Sequence, residues 1–453
     1  MSNSPSEKHK IITCQELLQE NLTIPIYQRP YRWKTETALT LFNDIYSAYK
    51  EKIPEWRIGS VILHKNESNE YNIVDGQQRV TTLNILIYCL GDENISKLLK
   101  KGEIFNELSS QSIVNNYRIL KQKVDDLQDD DKENFKNYLL KQCTFVKIIA
   151  DSEQEAFQFF DSQNSRGKEL APHDLLKSYH LREMKDNDEH QKIEIINNWE
   201  NKDQKNLAIF FENHLYPLVR WYKGKDGLNY SSKKINTFKG IKKENNCNYV
   251  IYHKSANLFI EHLNAKIYEL TNSEKINQFQ LTQPLIAGER FFYYTLYYFN
   301  LSEKSGKIVN KNLQNLGLEF KNTGDEAENT GDEAEFKKIG DEYVRSLLIN
   351  AIMFFIDKFN EEELTKNRIR FFIKWAFSLR LVMQAVYKET INKYALGEHE
   401  RINNGLNLFE KMSEMKEPEE LDTILLDEIS KQDLEKYKTE KYRIIWNEFF
   451  GVK

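Results

Sequence analysis

The stretch Tyr71-Asn-Ile-Val-Asp-Gly-Gln-Gln-Arg-Val-Thr-Thr-Leu83 constrains this chain more than any other. Tyr71, Ile73 and Val74 form the short apolar run of a buried strand, and Val80, Leu83, Leu86, Ile87 and Leu90 then recur at helical spacing. Between them Asp75-Gly76-Gln77-Gln78-Arg79 is a polar hinge whose glycine can take a positive φ. A strand–turn–helix of this kind points unpaired backbone N–H groups and the positive end of the helix dipole at one small volume, which suits a phosphate. Arg79 adds a planar donor fork, Gln77 and Gln78 add amides, and Asp75 is a carboxylate able to hold a metal or orient water. Thr81 and Thr82 follow as further candidate nucleotide contacts. The plain alternative is a capped helix with a polar first turn, since such units recur across α/β folds.

Upstream, Ile24-Pro-Ile-Tyr-Gln-Arg-Pro-Tyr-Arg-Trp33 places two arginines, Gln28 and three large aromatics in one short segment. Pro25 and Pro30 bias their preceding residues toward extended backbone, so a strand edge or loop is expected. Tyr27 and Arg29 then share a face, with Gln28 opposite. Tyr27, Gln28, Arg29 and Arg32 are candidate nucleotide contacts. Otherwise the arginines pair with surface carboxylates and the aromatics pack. Downstream, Ile58-Gly59-Ser60-Val61-Ile62-Leu63 is a β-branched run suited to a central strand.

The resulting order is extended segment, helix over about 36–50, strand, strand, Asp-Gly-Gln-Gln-Arg turn, helix. Carried on Ile24–Trp33, Ile58–Leu63 and Asp75–Leu83, it resembles the N-terminal domain of GmrSD-type restriction systems, a family related in fold to ParB and sulfiredoxin nucleotide-binding domains. The segment Phe159-Phe-Asp-Ser-Gln-Asn-Ser-Arg-Gly-Lys-Glu-Leu-Ala-Pro-His-Asp-Leu-Leu-Lys177 is similar to the family's second motif. There a polar turn at Asn164–Lys168 precedes a helix with Pro172 in its first turn. Asn164, Arg166 and Lys168 would face the Asp75–Arg79 turn and complete a nucleotide site. Otherwise this is a helix connection whose Gly167 serves only its backbone angle. Asp174 and Lys177, three apart on a helix, read as a surface pair. Phe238–Ile241 and Gln280–Phe292 also resemble one long subfamily. Many relatives carry an HNH-type nuclease domain, and no convincing version of it is found in this sequence.

The fold class expected is α+β, a ParB/sulfiredoxin-like α/β domain followed by a mostly α-helical one. The boundaries are a disordered 1–10, a nucleotide-binding 11–195 and a helical 196–453. Few glycines and prolines (17 and 8 in 453 residues) support a helix-rich body. Segment 93–142 reads helical, with Asp125–Asp131 as a solvated acidic stretch, and Phe145–Ile149 as a strand returning to the sheet. Further on, helices are expected over Leu207–Tyr216 (stopped by Pro217), Leu258–Leu270, Tyr343–Phe359 and Arg368–Lys388. Asn322-Thr-Gly-Asp-Glu-Ala-Glu328 repeats unchanged as Asn329–Glu335, a solvated linker without core-forming residues.

A net charge of −5 provides no global basic field, so nucleic-acid binding needs a local patch. Arg220 to Lys243 is that candidate, with Arg220, Lys223, Lys233, Lys234, Lys242 and Lys243 as DNA-binding residues. Trp221, Tyr222, Tyr230 and Phe238 between them either stack on bases or fill space behind the basic groups. The alternative is a solvated loop. Cys14, Cys89, Cys143 and Cys247 lack zinc or disulfide spacing, and no metal site is expected from them. His173 and His180 read as surface or partly packed residues. No leader pattern or long apolar span is seen, so the expected location is cytoplasmic, without membrane contact.

The resemblance implies an NTP-binding, NTP-hydrolysing (NTPase) subunit of a modification-dependent DNA restriction or phage-defence system. NTP and Mg2+ would be its cofactors, and DNA and an HNH-nuclease subunit its partners. Asp75, Gln77, Gln78 and Arg79 would be catalytic, with Gly76 in the phosphate turn. The alternatives are a non-catalytic nucleotide switch or DNA-sensing module that recruits a separate nuclease and, ranked last, a DNA nickase. No Gly-Lys-Ser/Thr phosphate loop is present.

Overall fold

Strand β3 (Trp56–Lys65) is the centre around which the N-terminal half is built. In the computed structural model the residues described are 9–25, 28, 30–66, 68–92, 97–100, 107–150, 155, 171–184, 188–270, 276–318, 339–383, 385–430 and 440–451. β3 lies between β4 (Tyr71–Asp75), antiparallel to it, and β5 (Cys143–Ala150), parallel to it. β1 (His9–Thr13) adds antiparallel to β5 and β2 (Leu22–Thr23) adds parallel to β4, giving the order β1-β5-β3-β4-β2.

Period-two alternation sorts the central strands between two apolar layers. Val61, Leu63, Ile73 and Phe145 enter the main core, while Ile62, Val74 and Ile148 bury the opposite face. The main core is closed by α1 (Cys14–Gln19), α2 (Thr35–Lys50), α3 (Gln77–Cys89), α5 (Glu107–Asp125) and α6 (Asp129–Lys141), with the short α4 (Lys97–Lys100) alongside. Thr13 and Glu16 cap α1 reciprocally, each accepting from the other's backbone N–H. The acidic stretch Asp125–Asp131, which runs into the first turn of α6, is not simply solvated. Asp131 accepts hydrogen bonds from Tyr46, Tyr49 and Lys50, each at 2.8 Å, and these donors pull its carboxyl down to about 2.

The chain divides into two units, Met1–Leu170 with Asp188–Glu200, and Ala171–Asn187 with Asn201–Lys453. The described part of the second is helical, so the molecule is α+β with its sheet in the N-terminal region.

Four expectations for the second unit are corrected. Pro217 does not stop its helix. The helix Gln204–Phe210 passes through a wider π turn, Phe211–Leu215, and continues as Tyr216–Trp221. Proline has no N–H for the carbonyl four residues back, here that of Asn213. The Asn350 side chain donates to that carbonyl instead, at 2.9 Å, and the Tyr216 N–H reaches Phe211. The helix begun near Arg368 ends at Val382, where Arg380 bonds the Met383 carbonyl and, through Nε, the buried Asp341. His173 and His180 are buried, at 3% and 0% exposure. Lys177 is buried as well and so is no surface partner for Asp174.

The Asn322–Glu335 repeat lies outside the described residues, as do Tyr27, Arg29, Asn164, Arg166 and Lys168. Among the described residues no helix is long and apolar enough to cross a membrane.

Candidate nucleotide site

The turn between β4 and α3 is held open by one glycine. Gly76 has φ 92°, and a Cβ there would sit 3.3 Å from the Ser60 carbonyl oxygen. No side chain caps the helix, so the N–H groups of Gln77, Gln78 and Arg79 have no acceptor among the described residues. They and the helix dipole favour an anion at this corner.

Arg79 is placed by a second glycine, in the neighbouring strand. β3 shifts register between Arg57 and Gly59, and Gly59 has φ 150°. The Arg79 guanidinium lies directly over it, so a Cβ at position 59 would be 1.9 Å from Nη1. A glycine inside a strand marks a bulge or a close approach, and here it marks both. Arg79 Nη2 is 3.9 Å from Asp75 Oδ2, a long ion pair that leaves the fork free to bond elsewhere. Both side chains are about a quarter exposed.

Of the upstream segment, Gln28, Pro30 and Arg32 bond to this corner. Gln28 Nε2 donates to the Val74 carbonyl at 2.6 Å, beside Asp75. The Gln78 amide is engaged by loop backbone. Its Oε1 accepts from the Arg32 N–H at 2.9 Å and its Nε2 donates to the Pro30 carbonyl at 3.1 Å, so its amide clamps the loop on either side of Tyr31. The Tyr31 ring is fully buried, its hydroxyl 2.7 Å from Thr82 Oγ1 and accepting from Asn116 Nδ2 at 2.8 Å. Burial pushes that phenol up. Thr82 therefore serves the core. Thr81 is buried too, its hydroxyl without a partner among the described residues. Arg32 Nη2 bonds the buried Glu200 at 2.8 Å. Gln77 is 5% exposed, and its Nε2 has no partner among the described residues.

The structure thus brings Asp75, Gly76, Gln77, Arg79 and Gln28 to one corner and assigns Gln78, Thr82 and Arg32 to holding it. Gly59, Glu200 and Asn116 were missed by sequence reasoning. Only Gly59 carried a local signal, as a glycine within a β-branched run.

In the basic segment the aromatics face inward. Trp221 and Phe238 are buried, and Trp221 Nε1 bonds Asn392. Tyr230 packs on Phe211 and Tyr216. Lys223, Lys233 and Lys242 are exposed. Lys234 donates to the Leu228 carbonyl at 2.7 Å, and Arg220 to that of Asp226 at 2.5 Å. The cationic side chains therefore form the outer surface of an aromatic-filled loop. Among the described residues no group of three or more His, Cys, Asp or Glu side chains could hold a metal.

Comparison with curated proteins found no match. Two family models do match. Residues 14–181 match the GmrSD restriction endonuclease N-terminal domain, a span that takes in strands β2 to β5 and the Gly76 turn. Residues 191–441 match a family of unknown function, DUF7834, over more than half of the chain. The chain belongs to the DUF7834 family and carries, ahead of that region, a GmrSD-type restriction endonuclease N-terminal domain.

Proposed function

We propose that the chain is the NTP-binding, NTP-hydrolysing subunit of a modification-dependent DNA restriction or phage-defence system. The match to a restriction endonuclease domain supports the setting. The observation that carries the nucleotide reading is the corner itself. Three unpaired helix N–H groups, the Arg79 fork laid on Gly59, and the Asp75 carboxylate meet where Gly76 turns the chain. Fixed donors aimed at phosphate oxygens stabilise the charge that phosphoryl transfer spreads over them.

In this reading Arg79 and the amides of Gln77–Arg79 bind the phosphates, and Gln28 keeps the loop against Val74. The Gln77 Nε2, which has no partner among the described residues, orients the attacking water or the nucleotide, with Asp75 accepting a proton or holding water. Mg2+ fits as a companion of the triphosphate, because it keeps most of its waters and needs only one or two protein carboxylates. Asp75 is the carboxylate at the turn that would hold it, and it would neutralise phosphate charge. Asn164, Arg166 and Lys168 would complete the site, DNA would lie along the exposed lysines between 220 and 243, and the cell compartment would be the cytoplasm.

One observation favours a second reading. The Gln78 amide is spent on Pro30 and Arg32, which leaves few groups for chemistry. A non-catalytic switch that recruits a separate HNH nuclease needs only the binding half of the site. Steady-state NTP turnover, with and without DNA, separates the two. Turnover abolished by Asp75→Asn supports the enzyme, and tight binding with no turnover under any condition supports the switch.

A further inference from the structure

The second unit contains a cavity of about 260 Å³ between the helix Asn248–Leu270 and the segment leading to Arg290. Its lining is unusually rich in carboxamides. Asn257, Gln280 and Gln283 make no side-chain hydrogen bond among the described residues, and Gln278 uses only its Oε1, accepting from Arg290 at 3.3 Å. Tyr294 enters from the floor, buried, its hydroxyl likewise without a partner. Tyr252 stands at the rim, 73% exposed. The charge of Arg290 is taken up by Glu261, so the cavity offers donor–acceptor pairs and aromatic faces to a ligand with little charge of its own.

Asn and Gln amides match the paired donor and acceptor edges of a nucleobase, and an exposed tyrosine offers a stacking face. What sets a base apart from a neutral sugar is the neighbour of the back wall. Ile241 forms a parallel bridge with Ile286, the Ile241 N–H bonding the Leu285 carbonyl and the Ala287 N–H bonding that of Ile241, both at 2.8 Å. Leu285 and Ile286 line the cavity, so the chain carrying Lys239 and Lys242 is joined to its wall. Gly240, at φ 68°, allows that approach, since a Cβ there would lie 2.7 Å from the Leu285 oxygen.

We infer that this cavity takes one extruded nucleobase of DNA, while the lysines of the adjoining segment hold the flanking phosphates. The inference rests on the DNA reading above and adds a site to it. An unpaired base enters such a pocket at least cost, because the unstacking has already been done.

The test titrates the full chain, at one fixed salt concentration, with two duplexes of the same sequence, one fully paired and one with a single bulged base. The bulged duplex should bind about tenfold tighter. Asn257→Ala with Gln283→Ala should remove that preference and leave the affinity for the paired duplex unchanged. Lys239→Gln with Lys242→Gln should weaken both duplexes alike. Equal binding of the two duplexes by the wild-type chain, or a preference that survives the amide substitutions, would overturn the pocket while leaving the DNA reading intact. No binding of either duplex would overturn both.

Discussion

The guanidinium of Arg79 occupies the space in which a side chain at Gly59 would begin, with Nη1 1.9 Å from the position of the missing Cβ. A residue from the first turn of α3 and one from the middle of β3 are thus fitted to each other, and the fork that would meet phosphate is aimed by a strand that would never touch it.

Gly59→Ala should therefore act on the site and on the fold. At φ 150° an alanine is strained, at a cost of roughly 1–3 kcal/mol, and it displaces Arg79. If the displacement matters, the double variant Gly59→Ala with Arg79→Ala should be less destabilised than the two single changes added together, as measured by urea unfolding. Strict additivity would mean that the two residues are not coupled.

Gln78 and Gln77 should behave differently although they are adjacent. Gln78→Ala leaves the Arg32 N–H and the Pro30 carbonyl without partners, and should cost about 1–3 kcal/mol of stability. Gln77→Ala breaks only a 3.4 Å contact with Gln78 and should be nearly neutral in stability while reducing NTP turnover. A stable Gln78→Ala protein that is impaired only in turnover would return Gln78 to the catalytic role.

Much of this corner was legible because its signals are local. An apolar run, a glycine and a helical repeat define β4, Gly76 and α3 within twenty consecutive positions, Tyr71 to Leu90. What was not legible depends on partners far along the chain. Gln78 finds its acceptor 48 residues upstream, and Asp131 finds Tyr46 85 residues away. Pro217 reads as a helix stop by every local rule. The rule fails because Asn350, 137 residues from Asn213, supplies the missing donor. The α+β division needed only composition and periodicity, which average over many residues.

That explanation of Pro217 is itself testable. Asn350→Ala should destabilise the second unit by about 1–3 kcal/mol, since it strands the Asn213 carbonyl and removes the acceptor of His214 Nδ1. Adding Pro217→Ala restores a backbone N–H and should recover part of the loss. No recovery in thermal unfolding would argue that the π turn has another cause.

Acid should weaken the second unit through His180. Its Nδ1 accepts from the Gly288 N–H at 3.1 Å, so Nε2 carries the proton and donates to the Phe238 carbonyl at 2.9 Å. Burial pushes the imidazole down to about 3. Because the folded value lies below the ordinary 6.5, this contribution is complete above pH 6.5 and is lost as the pH falls toward 3. Asp357 opposes it. Burial raises its carboxyl to about 7, so its share of stability grows as the pH falls through 7. The difference in urea midpoint between wild type and His180→Gln isolates the imidazole, and it should shrink from pH 7.5 to pH 5. A constant difference would contradict the buried neutral ring.

The central claim is that the Gly76 corner binds a nucleoside triphosphate, and thermal unfolding with each of the four NTPs at millimolar concentration with Mg2+ tests it most directly. A ligand that binds only the folded chain raises its stability, by about 2.7 kcal/mol at a hundred times its Kd. At least one NTP should raise the melting temperature of the wild-type protein, and Arg79→Ala should unfold at the same temperature as the unliganded wild type and gain nothing from any NTP. An unchanged wild-type melting temperature with all four, or an equal gain in Arg79→Ala, would contradict the assignment.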